Sequence, residues 1–248
     1  MAGVTSARTF RPADLTAHLF DLDGVVTPTA DVHMRAWATM FEEFLSSRGV
    51  EAPYTEADYF EHVDGRPRYD GVRAVLASRG LELPEGVDSD PGEQSAGEET
   101  VRGLGNRKNE LVLELLRRDG VAPYPGTVAY LDSLGDGARL AIVSSSRNAE
   151  EVLRSAGLRE RFEHVVDGNV AAREGLPGKP APDTFLRAAA LLGVEPADAV
   201  VYEDAVSGVA AGAAGRFGAV VGVDRGAGRD ALSAAGATLV VTDLEELA

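Results

Sequence analysis

Apolar and polar positions follow two rhythms along the chain, and the change of rhythm divides it. Residues 15–20 form a short, mostly apolar run, the pattern of a buried strand. From 31 to 48 the apolar positions fall on one helical stripe: Val32, Ala36, Met40 and Phe44, with Trp37 and Phe41 beside it. Pro28 stops an earlier helix, Thr29 or Asp31 stands where an N-cap belongs, and Gly49 closes the stripe. Residues 55–63 and 68–78 predict short helices and 98–118 a longer one. Between them, 82–97 is rich in Gly, Pro and acid, which predicts an exposed loop. No strand pattern occurs between 30 and 125.

From 121 the rhythm changes. Pro123-Tyr124-Pro125-Gly126 predicts a hinge-like turn. Apolar runs at 140–143, 165–166, 199–202, 219–223 and 239–241 then alternate with helical patterns at 148–156, 182–192 and 206–216. That alternation predicts an α/β fold, a doubly wound parallel sheet with helices on both faces. The core would draw on 1–29 and 123–248, and 30–122 would be an inserted all-helical domain. Residues 1–11 read as a loose tail, and no internal repeat is visible.

Composition narrows the function. The chain has 248 residues, 44% hydrophobic and 26% charged, which is ordinary for a globular protein. Its net charge of -16 argues against nucleic acid or an anionic membrane surface as partner. The chain has no cysteine, which excludes disulfides, thiol catalysis and a thiolate zinc site. With no signal-peptide run and no stretch of transmembrane length, a cytoplasmic location is expected. Of the 24 basic residues only Lys108 and Lys179 are lysines. A chain this biased toward arginine has kept a compact ammonium at two places.

The strand ends carry the candidate chemistry. The first run ends in Asp21-Leu22-Asp23-Gly24, and the glycine permits a sharp turn. Alternation along a strand puts Asp21 and Asp23 on the same side. A later run ends in Ser144-Ser145-Ser146, another in Glu203-Asp204, and Lys179 lies in a Gly-Lys-Pro loop between these two. A lone Asp-x-Asp could be an ordinary solvated turn. In open parallel sheets, however, ligands bind beyond the carboxyl ends of the strands. Carboxylates crowded there repel one another, and a hard divalent cation relieves the repulsion. A hydroxyl at a helix start beside an ammonium makes an anion site. Together these groups describe phosphoryl transfer through an aspartyl-phosphate.

The four motifs, Asp21-x-Asp23-Gly24, Ser144, Lys179 and Glu203-Asp204, resemble those of the haloacid dehalogenase superfamily, in family order across nearly the whole chain. The resemblance implies Asp21 as nucleophile and Asp23 as general acid and base. It implies Mg2+ held by Asp21, the Asp23 carbonyl and Asp204, with Glu203 in support, and Ser144 and Lys179 on the transferring phosphoryl group. Within the superfamily, the stretches Asp21 to Trp37, Arg107-Lys108-Asn109 and Gly178 to Asp183 are similar to the beta-phosphoglucomutase family. That likeness implies that the helical insertion is a cap. On it, Arg68 and Lys108, with Asn109 beside them, would grip the distal end of a sugar phosphate. His33 and Thr29 would belong to the hinge controlling Asp23. Pro28, Asp64 and the long 82–97 stretch depart from the pattern.

The expected activity is interconversion of beta-glucose 1-phosphate and glucose 6-phosphate by a monomer or weak oligomer. A phosphatase with the same site is the alternative. A non-catalytic phospho-aspartate switch, a third class, lacks a use for a helical insertion of this size: such receivers are bare domains near ~100 residues.

Overall fold

The computed structural model describes residues 12–86, 96–135 and 137–248. The expected tail at 1–11 and residues 87–95 of the expected loop lie outside the described residues.

Among the described residues six strands form one sheet: β1 (Ala17–Phe20), β2 (Arg139–Val143), β3 (His164–Val166), β4 (Ala199–Glu203), β5 (Ala219–Val223) and β6 (Leu239–Val241). Every pairing is parallel, in the order β3-β2-β1-β4-β5-β6. The expected doubly wound sheet is therefore present. β1 is central, with Ala17 opposite Arg139 on one side and Ala199 on the other. The strand order reverses between β1 and β4, and a crevice opens at such a switch point.

Side chains alternate across the sheet and fill two cores. Phe20, Ile142, Tyr202 and Val221 pack into one, and Leu19, Ala141, Val201 and Val220 into the other. The helices in chain order are α1 (Thr29–Ser47), α2 (Glu56–Asp58), α3 (Arg68–Ser78), α4 (Val101–Asp119), α5 (Pro125–Ser133), α6 (Ala149–Ser155), α7 (Gly168–Glu174), α8 (Asp183–Leu192), α9 (Val206–Ala214) and α10 (Arg229–Ala234). α1 to α4 lie between β1 and β2 in the chain and gather a third core, including Trp37, Phe41, Tyr59, Val72 and Leu104. Both long helices also reach the sheet, α1 through Val32 and Ala36 and α4 through Val112 and Leu116. No helix among the described residues is long and apolar enough to cross a membrane.

Several expectations are corrected in detail. Neither Thr29 nor Asp31 caps α1: Pro28 is the cap residue, without a side-chain bond. The helix expected at 55–63 is a capping box, Thr55 with Asp58, followed by a π turn at Tyr59–Val63. α4 begins later than expected, where the Thr100 hydroxyl accepts the Gly103 N–H at 2.9 Å. The hinge-like turn at 123–126 is the start of α5, with Pro125 in the first turn, where its missing N–H costs nothing. The pattern did not indicate α7 or α10.

Candidate active site

β1 stops at Phe20 because the next residue turns from the sheet to chemistry. The Asp21 N–H still donates to the Tyr202 carbonyl at 2.9 Å, which fixes the carboxylate at the strand end. The Lys179 ammonium, arriving from the loop between α7 and α8, donates to Asp21 and, at 2.6 Å, to Glu203. It also reaches the Val143 carbonyl at the end of β2, at 3.2 Å. One buried lysine thus ties three strand ends together. Burial alone would push this ammonium down, but the Asp21 and Glu203 charges more than offset it and hold it above its ordinary range. The second Glu203 oxygen accepts the Ala205 N–H at 2.7 Å. Gly208 lets α9 pack here, since a Cβ at that position would lie 1.7 Å from Glu203 Oε1.

Asp23 lies on a tight turn. The Gly24 N–H donates to the Thr27 carbonyl at 2.8 Å, and Val26 and Thr27 donate back to Leu22. Gly24 has φ 87°, and a Cβ on it would sit 1.9 Å from Asp204 Oδ2. The turn therefore presses directly on the acid that follows β4. Thr29 donates its hydroxyl to Asp23 Oδ1, and Thr27 and Thr29 hydroxyls are 2.8 Å apart. His33 Nε2 lies 3.8 Å from the same Asp23 oxygen.

The helical insertion closes over these groups. A cavity is lined from the sheet by Asp21, Asp23, Glu203 and Asp204, and from the insertion by His33, Trp37, Asp64, Arg68, Lys108 and Asn109. Lys108 is buried, with Nζ 2.9 Å from His33 Nδ1 and 4.9 Å from the centre of the Trp37 ring. Burial, then the Lys108 charge, pushes His33 down to about 4, so its ring is neutral. Burial, then the Arg68 charge, lowers the Lys108 ammonium well below its usual range. Arg68, brought down to about 10 by burial, donates to Asn109 Oδ1 at 2.6 Å. Asn148, at the start of α6, donates to the same oxygen at 2.7 Å, so insertion and sheet meet through one amide.

Most residues singled out in the sequence therefore converge, with two adjustments. Ser144 is buried at the end of β2, but its hydroxyl accepts the Ser146 N–H at 3.0 Å and borders the neighbouring cavity. Ser145 and Ser146 line the central one. Lys179 is not among the residues lining that cavity and meets it through Asp21 and Glu203, whereas Lys108 lines it together with Arg68 and is bonded to His33. Sequence reasoning missed Asn148, and it missed Arg147, which lines the neighbouring cavity with Arg68 and whose charge, added to burial, lowers that guanidinium. It met Asp64 only as a departure, yet burial, then the Glu203 charge, raises this cavity-lining carboxyl to about 6. A carboxylate before a glycine on a loop was its one local signal.

Comparison with known proteins agrees with this geometry. A beta-phosphoglucomutase of Mycobacterium bovis is 49% identical over 247 residues, covering 95% of this chain and 92% of its own. A fructose-1-phosphate phosphatase of Escherichia coli is 31% identical over 204 residues, covering 82% of this chain and 93% of its own. The crystal structure of a beta-phosphoglucomutase from Clostridium difficile superposes with a TM-score of 0.74 at 25% identity, covering 94% of this chain and 93% of its own. The family model for haloacid dehalogenase-like hydrolases matches residues 15–216, and the chain belongs to that family.

Proposed function

We propose that this chain is a phosphotransferase that interconverts beta-glucose 1-phosphate and glucose 6-phosphate through an aspartyl-phosphate on Asp21. One observation carries the reading: one cavity is lined at its sheet end by Asp21, whose carboxylate bonds the Lys179 ammonium behind it, and at its insertion end by Arg68. Moving phosphate between two ends of a sugar requires two anion sites, and a simple hydrolase requires one. The 49% identity to a protein named for this reaction supports the same choice.

Asp21 attacks phosphorus, while Lys179 offsets charge on Asp21 and on the transferring oxygens. Asp23 protonates the leaving sugar oxygen and later deprotonates the incoming hydroxyl. Thr29 holds Asp23 for that task through its hydroxyl, with the neutral His33 ring beside it. Arg68 grips the distal phosphate, with Asn109, Asn148 and the nearby Arg147 around it. The cavity is about 70 Å3, space for about five waters and too little for a hexose phosphate. Insertion and sheet must part to admit substrate and close again, which keeps water from the aspartyl-phosphate.

Mg2+ fits these residues. Burial outweighs the opposing Lys179 charge and, with the Glu203 charge added, leaves the Asp21 carboxyl well above its ordinary range. Burial, then the Glu203 and Asp21 charges, does the same to Asp204. No lysine or arginine among the described residues is bonded to Asp204. Asp21, Asp204 and the Asp23 carbonyl would hold the ion, with Glu203 committed to Lys179. No three acid or histidine side chains among the described residues form a ready cage, so the Asp23 carbonyl and substrate oxygens would have to complete the coordination. When bound, the ion would screen the phosphoryl charge.

The test is product analysis with beta-glucose 1-phosphate, with and without a sugar bisphosphate primer. Primer-dependent glucose 6-phosphate with little free phosphate is expected. Inorganic phosphate released as fast as glucose 6-phosphate forms would instead favour a phosphatase, the activity for which the Escherichia coli relative is named.

A further inference from the structure

Three consecutive carbonyls of the Asp23 turn are each held from outside the turn. The Val25 carbonyl accepts the Thr127 hydroxyl at 2.7 Å, and the Val26 carbonyl accepts the Tyr124 N–H at 3.0 Å. The Gly24 carbonyl accepts from Arg225 Nε at 3.0 Å. Thr127 and Tyr124 belong to α5 and its cap, where the chain returns from the insertion. Arg225 comes from elsewhere, two residues past β5.

The Arg225 guanidinium does more than touch Gly24. It lies flat enough on Tyr124 to sit 3.9 Å from the ring centre. Its other nitrogens donate to the Thr242 carbonyl at 2.9 Å and to Asp243 at 3.3 Å. Its own loop is fixed, because the Asp224 N–H donates to the Val241 carbonyl and the Asp224 carboxylate accepts the Gly226 and Gly228 N–H groups. A planar, delocalised cation with a fixed fork of donors suits such a junction, and a lysine cannot reproduce it. One side chain thus joins the turn that carries Asp23, the return linker of the insertion and the C-terminal segment.

We infer that Arg225 is a positioning residue for Asp23: it couples the return linker at Tyr124 to the turn at Gly24, and so sets where the proton donor stands when the insertion closes. The inference rests on the proposed role of Asp23 in proton transfer. Gly24 follows Asp23 directly and abuts Asp204, so a small shift of its carbonyl moves both acids.

A purely structural staple and a positioning residue differ in one measurable respect. A sugar oxygen leaves only when protonated, whereas p-nitrophenolate leaves as the anion and needs no acid. Proton donation contributes on the order of a hundredfold or more. A misplaced Asp23 therefore spares the first release of p-nitrophenolate, which forms the aspartyl-phosphate, whereas every later turnover also needs Asp23 to deprotonate the incoming hydroxyl. Arg225→Leu and Arg225→Lys are therefore assayed on beta-glucose 1-phosphate and p-nitrophenyl phosphate, with Asp23→Asn as the reference and melting temperature recorded. We expect kcat on the sugar phosphate to fall about tenfold or more, while the rate of the first p-nitrophenolate release, read as a pre-steady-state burst, falls about twofold at most. The same selectivity in Arg225→Lys keeps the test valid if the leucine variant is too unstable to assay. Equal losses on both substrates, or no loss on either, would overturn the inference while leaving the reading of Asp23 intact. Absence of selectivity in Asp23→Asn would remove the proton donor itself and this inference with it.

Discussion

Lys179 lies 2.6 Å from Glu203 and bonds Asp21 with the same ammonium, so a single buried cation joins the end of β1 to the end of β4. At 3% exposure a longer head group has no route to solvent. A guanidinium needs a broad planar site with outlets for five N–H donors, and this pocket supplies acceptors for three. Lys179→Arg should therefore be nearly as harmful as Lys179→Ala, each reducing turnover on the order of a thousandfold. Steady-state rates of the two variants check this. An arginine variant with wild-type activity would mean that the site needs positive charge alone.

Gly24 sits at φ 87°, and a Cβ there would lie 1.9 Å from Asp204 Oδ2. Gly24→Ala therefore combines left-handed strain of about 1–2 kcal/mol with a collision against an acid that lines the cavity. Gly193 offers a control. It has φ 67°, but a Cβ on it would meet only Arg139 Nη1 at 3.7 Å. Both alanine variants should lose stability in chemical denaturation, Gly24→Ala the more of the two because the collision adds to the strain. Only Gly24→Ala should lose activity, by about tenfold or more. Equal activity in the two variants would show that the close approach to Asp204 has no catalytic consequence.

The parts legible in the sequence were those with local signals. β4 and β5 are unbroken apolar runs bounded by polar residues, and the acids that end β1 and β4 interrupt such runs abruptly. The short helices α7 and α10 carry too few apolar positions to show a period. Pro125-Gly126 looked like a turn because the same residues that break a helix also begin one. Within the site, Thr29 was a reasonable cap by position. Its hydroxyl instead serves Asp23, a choice settled by the fold of the preceding turn. The Asn109–Asn148 junction joins residues 39 apart in the chain, and no local pattern encodes it. The same holds for Arg225, which reaches Gly24 from 201 residues away.

Arg68 tests the distal grip. It is half-buried on α3 and held by Asn109, itself tied to Asn148 on the sheet side. A fork of donors held this way suits a phosphate at the far end of a sugar. Arg68→Ala should cut isomerisation of beta-glucose 1-phosphate by a hundredfold or more, on the order of 3 kcal/mol for a charged contact. Hydrolysis of p-nitrophenyl phosphate, which has no distal phosphate, should change far less. Equal reductions in both activities would remove Arg68 from substrate binding and with it the two-site argument.

His18 makes a pH prediction away from the cavity. Its ring is buried in the sheet, with Nδ1 2.8 Å from the Tyr202 hydroxyl, which lies 2.5 Å from the Tyr130 hydroxyl. Burial lowers its pKa from 6.5 to about 4, against a smaller raising effect of the Leu15 backbone. The folded state therefore resists a proton that the unfolded chain takes up. The stability this represents is complete above pH 6.5 and is lost as pH falls toward 4, about 2 kcal/mol of it by pH 5. His18→Phe keeps the stacking on Phe20 and Tyr202 and leaves the tyrosine pair intact, but has no proton to bind. Urea unfolding of both proteins at pH 7 and pH 5 measures the difference. The variant should lose about 2 kcal/mol less than wild type over that interval. His33 shares the downward shift and Asp64 moves upward, but both are present in the two proteins and cancel in the comparison. Identical losses in the two proteins would mean that His18 is protonated in the fold as readily as in the unfolded chain.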